Sequence, residues 1–298
     1  MSTMRISPSR GGKSPEVAGF YEADTGSAQY VVSDPATGKA AIIDAVWNFD
    51  PKHARTSTGS ADEILAFVRE RGLSVEWILD THPHADHFMA AAYLKERLGA
   101  QQAIGEKVRE IAKLWRDIYN LPDTFDVDSA FDRLFADKDT FRIGGLETRV
   151  MLSPGHTLGS VTYLVGDDAA FVHDTLMQPD SGTSRADFPG GDASVLYRSI
   201  QRILALPDET RLFVGHDYCP DGREAQWEAT VAEQKRQNIH LRDNASEADF
   251  VKMRRARDRT LALPNRILYA LQVNLRGGRL PAPESDGRSY FKIPCNRF

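Results

Sequence analysis

Apolar and polar positions follow two different periods along the chain, and the change from one to the other marks the elements. Ala28 to Ser33 and Lys39 to Asp44 are short runs of apolar or β-branched residues on either side of Asp34-Pro35-Ala36-Thr37-Gly38. Pro presets one backbone angle there and Gly supplies the permissive one, so the pattern predicts a hairpin. The period then lengthens. Ile64, Phe67 and Val68 make an i, i+3, i+4 stripe, Ser60 and Glu63 have capping-box spacing, and Gly72 supplies a stop, which predicts a helix. Val75 to Asp80, with Trp77-Ile78-Leu79 at its centre, has the length of a buried strand. Met89 to Leu98 and Glu106 to Tyr119 read as helices, and Leu121 to Asp139 as an irregular, acid-rich connection.

A second β-rich block spans Phe141 to Asp174, with a Gly144-Gly145 hairpin, a strand at Val161 to Val165, a turn at Gly166-Asp167-Asp168 and a strand at Ala169 to His173. Leu196, Ile200, Ile203 and Leu204 then recur at helical spacing within Ala193 to Leu206, Leu212 to Gly215 reads as a strand, and Arg223 to His240 as a further helix. Two blocks that each run from strands to helices predict an α/β chain in which two sheets pack together with helices outside.

Composition narrows the class. Of 298 residues, 41% are hydrophobic, enough for a substantial core. The two cysteines, Cys219 and Cys295, are too few for a disulfide scaffold or a cysteine-built zinc site, so a reducing, cytoplasmic setting is expected. No run approaches the ~20 apolar residues of a membrane span, and Met1 to Glu16 lacks a secretory apolar stretch. With 37 basic against 42 acidic residues the net charge is -5, which disfavours a nucleic-acid partner. Charge is uneven, however: Phe250 to Arg279 carries eight basic residues against the single acid Asp258, which reads either as a solvated helix face followed by a loop or as a docking surface for an anionic small molecule.

The densest chemistry is Thr81-His82-Pro83-His84-Ala85-Asp86-His87, directly after a strand. Neutral imidazole and carboxylate suit zinc or iron, and residues two apart just past a strand can aim at one ion. His156, Asp174 and His216 each follow an apolar strand as well. Taken singly, a histidine in such a place is more often a hydrogen-bonded structural residue; together with the first cluster, these three join five of the eight histidines in one pattern. His53, His173 and His240 are read as structural or surface residues, His173 because strand alternation points it away from Asp174.

In that order, these residues resemble the metallo-β-lactamase fold superfamily over nearly the whole chain. The resemblance implies a four-layer αβ/βα sandwich with a metal site at the edge between the sheets, a catalytic domain over residues 15–240, and a C-terminal basic helix and tail (241–298) packed on it. Ala85, Asp174-Thr175-Leu176, the run Gly182 to Ala193 and Leu196 to Ile200 resemble the persulfide dioxygenase branch; Leu271 to Pro281 is similar to its longer bacterial members, the β-lactamase-like hydrolases. Pro83, Ser184 and Ala186 depart from the branch pattern without touching a ligand position.

The branch implies one Fe(II) per chain held by His82, His156 and Asp174, with His84, Asp86, His87 and His216 behind them. Asp86 and His216 would handle protons. The implied reaction oxidises glutathione persulfide with O2 and water to sulfite and glutathione. Two imidazoles and a carboxylate leave positions open for substrate and oxygen, which zinc, lacking a second oxidation state, cannot exploit. The alternative is a glyoxalase II-like hydrolase of glutathione thioesters, in which all seven residues hold two Zn2+ ions. A metal- or sulfur-responsive binding protein without turnover is a third reading. Arg185 and Tyr218 fall at substrate-side positions of the branch, against the plainer readings of an Arg185–Asp187 ion pair and a core tyrosine. Cys219 reads as a buried, inert thiol. A homodimer is a common state for such enzymes.

Overall fold

The computed structural model describes residues 3–241 and 245–298. Its first half contains β1 (Thr3–Ser7), β2 (Glu16–Glu22), β3 (Ser27–Ser33), β4 (Lys39–Ile43), β5 (Val46–Asp50), β6 (Arg55–Ser57), α1 (Gly59–Glu70), β7 (Ser74–Leu79), β8 (Phe88–Met89), α2 (Ala91–Leu98), β9 (Gln101–Gly105), α3 (Val108–Tyr119), α4 (Val127–Ala130) and β10 (Arg133–Phe135). A seven-stranded sheet runs in the order β1-β2-β3-β4-β7-β9-β10, and β6-β5-β8 form a small third sheet. The expected hairpin pairs Tyr30 with Ile43 and Val32 with Ala41.

Strand alternation sorts this sheet into two faces. Val31, Ile42 and Ile78 point outward and are buried with Ala61, Ile64 and Val68 of α1 and Leu94 of α2. Tyr30, Val32, Ala41, Ile43 and Leu79 point inward to the core shared with the second sheet. Each such fully buried aliphatic side chain contributes roughly 1.5–3 kcal/mol of transfer free energy.

The second half contains β11 (Thr140–Ile143), β12 (Leu146–Leu152), β13 (Val161–Val165), β14 (Ala169–His173), α5 (Ala193–Leu204), β15 (Arg211–Val214), β16 (Glu228–Thr230), α6 (Val231–Gln237), α7 (Glu247–Asp258) and α8 (Ile267–Asn274). Strands β11 to β16 form a six-stranded sheet in sequence order. One cross-strand row, Tyr163, Phe171 and Phe213, faces the first sheet, where the Tyr30 ring meets Phe171 at 5.2 Å and Phe213 at 5.5 Å. The alternate row, Leu164, Ala170 and Leu212, lies in the same buried cluster as Leu196, Ile200 and Ile203 of α5. Helix, sheet, sheet and helix thus stack as the αβ/βα sandwich that the resemblance implies. The sheets touch along one edge, where Ala28 N donates to Gly215 O at 2.8 Å.

Several elements depart from the sequence pattern. The first helix begins at Gly59, and Ser60 Oγ, in place of capping, accepts from Asn48 Nδ2 at 2.9 Å. The stretch expected to be irregular holds α4 and β10, and β10 pairs in parallel with β9. The helix expected over Arg223 to His240 is confined to α6, because residues 228–230 pair with β15 and Thr230 forms a capping box with Glu233. Beyond α7, the expected loop is instead α8, a helix with Ile267, Ala270, Leu271 and Val273 buried. No helix among the described residues is long and apolar enough to cross a membrane.

Candidate metal centre

Four strand ends deliver the chemistry. His82 to His87 follow β7, His156 lies between β12 and β13, Asp174 comes directly after β14, and His216 comes two residues after β15. Two glycines make these approaches possible. Gly155, at φ +129, lies so near α5 that a Cβ would stand 2.3 Å from the Leu196 backbone, and a Cβ on Gly215 would stand 2.6 Å from Asp174 Oδ1.

The imidazoles are oriented from behind. Thr81 Oγ1 donates to Asp44 Oδ2 at 2.8 Å, so its remaining capacity is to accept, and His82 Nδ1 donates to it at 3.0 Å. His156 Nδ1 donates to Arg185 O at 2.8 Å. Both rings therefore carry a lone pair on Nε2. His87 Nδ1 donates to Phe88 O at 3.1 Å, which leaves Nε2, and His84 Nε2 donates to Asp44 Oδ1 at 3.1 Å, which leaves Nδ1. The freed atoms His82 Nε2, His84 Nδ1 and His87 Nε2 are buried without a hydrogen-bond partner. Orphaned buried nitrogens of this kind cost free energy unless something ligates them, so the donor set fits a metal ion.

Three groups of donors converge among the described residues, one of them Asp44, Asp80 and His84. One donor atom each from His82, His156 and Asp174 lie within 4.8 Å of one another, and so do those from His84, Asp86 and His87. In the first group Asp174 Oδ2 stands 3.7 Å from His82 Nε2 and 3.4 Å from His156 Nε2. His216 is arranged differently. Its Nδ1 lies 2.6 Å from Asp174 Oδ1 and its Nε2 lies 2.7 Å from Asp86 Oδ2. Carboxylates accept, so this arrangement, in the absence of an ion, favours the protonated form of the ring.

Charge balance follows from the same contacts. Burial opposes a charged His216, but the Asp174 and Asp86 carboxylates outweigh it and hold the ring well above its ordinary value. Burial would raise Asp174, yet His216 and His156 hold its carboxyl far below the usual range. Burial pushes His87 down to about 4 and, assisted by the neighbouring imidazoles, takes His82 well below its ordinary value.

Asp86, His156 and Asp174 open onto a cavity of about 530 Å³ whose walls include Arg185, Phe188 and Tyr218. Arg185 is engaged there: its Nε and Nη2 grip Asp187 at 2.6 and 2.8 Å, and Nη1 donates to Ala262 O at 2.6 Å. Tyr218 is 63% exposed and stacks on His216 at 5.8 Å, so it is a wall residue rather than a core aromatic. Cys219 is half-buried, with Sγ 3.4 Å from Tyr21 Oη. Of the histidines set aside, His53 is exposed beside Asp50 and His240 Nδ1 accepts from Thr183 N at 3.0 Å. His173 lies closer than alternation implied. At φ +44 it turns beneath His82, ring to ring 5.3 Å, and its Nε2 lies between Ser153 Oγ and Thr175 Oγ1.

Four supporting residues escaped the sequence reading. Asp44, at the end of β4, binds Thr81 and His84 together, and Ser27 Oγ reaches Asp86 and His216. Thr81 relays Asp44 to His82. Asn274 Nδ2 donates to His84 O and His87 O while its Oδ1 accepts from Met89 N, which ties α8 to the histidine loop. Asp44 ends an apolar strand as Asp174 does, and that shared position was the available signal.

Comparison with known proteins agrees with this geometry. The chain is 61% identical over 282 residues to a beta-lactamase hydrolase-like protein of Agrobacterium fabrum, covering 95% of this chain and 65% of the relative, so it spans about two thirds of that protein's length. It is 28% identical over 251 residues to the human persulfide dioxygenase ETHE1, covering 84% and 83% of the two chains. A hydroxyacylglutathione hydrolase of Brucella anthropi is 30% identical over 229 residues, covering 76% and 77%. The crystal structure of ETHE1 from Myxococcus xanthus superimposes with a TM-score of 0.70 at 30% identity, covering 88% of this chain and 99% of that one. The family profile of the metallo-beta-lactamase superfamily matches residues 24–216, which include every histidine and carboxylate of the centre, and the chain belongs to that superfamily.

Proposed function

We propose that this chain is a persulfide dioxygenase that oxidises glutathione persulfide with O2 and water to sulfite and glutathione, using one Fe(II) held by His82, His156 and Asp174. The observation that carries the reading is the group of two imidazoles and one carboxylate, His82, His156 and Asp174, whose His156 and Asp174 open onto the cavity. His216 has both nitrogens against the Asp174 and Asp86 carboxylates, which suits it to orient those two groups from behind. His84, Asp86 and His87 form a second group of the same composition, and of the two histidine pairs it is His156 of the first group that opens onto the cavity. Similarity to the two ETHE1 proteins supports the same choice.

Iron in such a site supplies open coordination positions and an accessible change of oxidation state. The protein's own groups do the rest. Thr81, Asp44 and the Arg185 carbonyl fix the ring planes of His82 and His156. Ser27 and His216 orient Asp86 at the cavity wall, and in this reading Asp86, backed by His216, carries a proton to the departing glutathione thiolate. Phe188 and Met177 supply apolar wall that limits water near the sulfur. In balance, glutathione persulfide, O2 and one water give glutathione, sulfite and two protons.

One observation favours a second reading. His84 Nδ1 and His87 Nε2 are also unpartnered, and a dinuclear zinc hydrolase of glutathione thioesters would use them. The test is to purify the protein anaerobically, quantify iron and zinc, and follow O2 uptake with glutathione persulfide beside hydrolysis of S-D-lactoylglutathione. The dioxygenase reading expects about one iron per chain and O2 uptake. Stoichiometric zinc with thioester cleavage and no O2 uptake would remove it.

A further inference from the structure

Three guanidinium groups line the cavity that leads to the metal centre: Arg185, Arg254 and Arg257. Two of them are occupied. Arg185 is gripped by Asp187 and bonded to Ala262 O. Arg254 is fully buried; it pairs with Asp258 at 2.7 Å and donates to Thr183 O at 2.9 Å. Asp258 in turn accepts from Ala186 N at 3.0 Å. The Arg254–Asp258 pair thus bolts α7 onto residues 183–186, whose Arg185 carbonyl orients His156.

Arg257 lies on the same helix between these two anchors, so its position is set by them. Its side chain is exposed, and among the described residues its guanidinium makes no hydrogen bond or ion pair. Of the carboxylates on the wall, Asp180 is paired with Arg223, and Asp86 and Asp174 with His216. Arg257 is therefore the uncompensated charge of this cavity among the described residues. Three exposed apolar side chains line the same walls, Tyr218 at 63%, Ile239 at 39% and Leu261 at 43%. A cavity with donors at its inner end, apolar sides and one free guanidinium suits a thiol carrier that has a carboxylate remote from its sulfur.

We propose that Arg257 is the residue that takes the carrier's carboxylate and so selects anionic thiol carriers; this rests on the reading that the carrier is glutathione-like. Arg185, the residue marked by sequence, holds the loop together instead. A free guanidinium is pre-organised for a bidentate pair, whereas Arg185 would first have to give up Asp187.

The test is binding, independent of turnover. Metal-loaded wild-type protein, Arg257→Met and Arg257→Lys are titrated calorimetrically with glutathione and with glutathione diethyl ester, whose carboxylates are capped. Wild-type protein is expected to bind glutathione more tightly than the ester. Arg257→Met should weaken glutathione about tenfold to a hundredfold and leave the ester unchanged, with Arg257→Lys between. Melting temperature and metal content should stay as in wild type, because the side chain supports nothing internal. Unchanged glutathione affinity in Arg257→Met, or equal losses for both ligands, would overturn the assignment, as would wild-type protein that binds neither. O2 uptake with a carboxylate-free persulfide would then still uphold the dioxygenase. Conversely, the expected binding pattern in a zinc enzyme that cleaves thioesters would keep Arg257 and discard the oxidation.

Discussion

Asp174 serves two partners at once. Its Oδ1 faces His216 Nδ1, and its Oδ2 faces the nitrogens of His82 and His156. Against burial, His216 and His156 hold this carboxyl far below its ordinary range, and the carboxylate supplies the negative charge of the three-donor group. Asp174→Ala is expected to abolish iron retention, measured as iron per chain after anaerobic purification. An iron content equal to wild type would show that another carboxylate completes the site. The convergence of these residues was legible because three histidines with an aspartate within His82 to His87 are hard to explain unless they gather at one place. Asp44 was not legible, since a lone aspartate after a strand has the same local signature as an ordinary turn.

Helix α8 shows where periodicity fails and what depends on it. Arg266 and Arg276 flank it, so the whole stretch looked solvated, although Ile267, Ala270, Leu271 and Val273 are buried against α3 residues such as Ile111 and Trp115. From this helix Asn274 makes hydrogen bonds to His84 O, His87 O and Met89 N. Asn274→Leu leaves three buried backbone groups unpaired, at about 1–3 kcal/mol each before relaxation. It is expected to lower the urea midpoint and to reduce metal retention together; loss of stability with full metal content would separate α8 from the site. Strand β16 was missed for a related reason: residues 228–230 become a strand only through their pairing with β15, and the capping box of Thr230 and Glu233 then fixes where α6 begins.

The loop at residues 182–183 gives a pH signature away from the metal. Burial, with Arg254 and Arg257 nearby, lowers His240 to about 4, against about 6.5 in an unfolded chain. Between those values the unfolded chain takes up the proton first, so this contribution to stability is complete above about pH 6.5 and declines as pH falls toward 4. His240→Asn keeps an acceptor for Thr183 N without titrating. The difference in urea midpoint between wild type and variant should therefore change steadily across that window, and a constant difference would contradict the assignment.

Across the molecule, the two-sheet plan was readable from the two successive strand-then-helix blocks, whereas which face of each strand meets the other sheet, with Val31 and Ile42 opposite Tyr30, Val32 and Ala41, shows only in the fold. The division at residue 240 carries less physical meaning. Leu271 and Val273 share a cluster with α3, and Arg254 is bolted to residue 183. A chain ending at residue 240 is expected to be unfolded by circular dichroism, since it would expose both contacts; a cooperative melt from that fragment would show that the tail is an accessory.

His82 comes from one sheet, His156 and Asp174 from the other. An ion gripped by all three works as a rivet across two halves of the polypeptide that are distant in sequence, so its removal loosens the join as well as the reactive centre. Chelation should accordingly depress the melting temperature of the entire chain, and free metal concentration becomes a control on lifetime as much as on turnover.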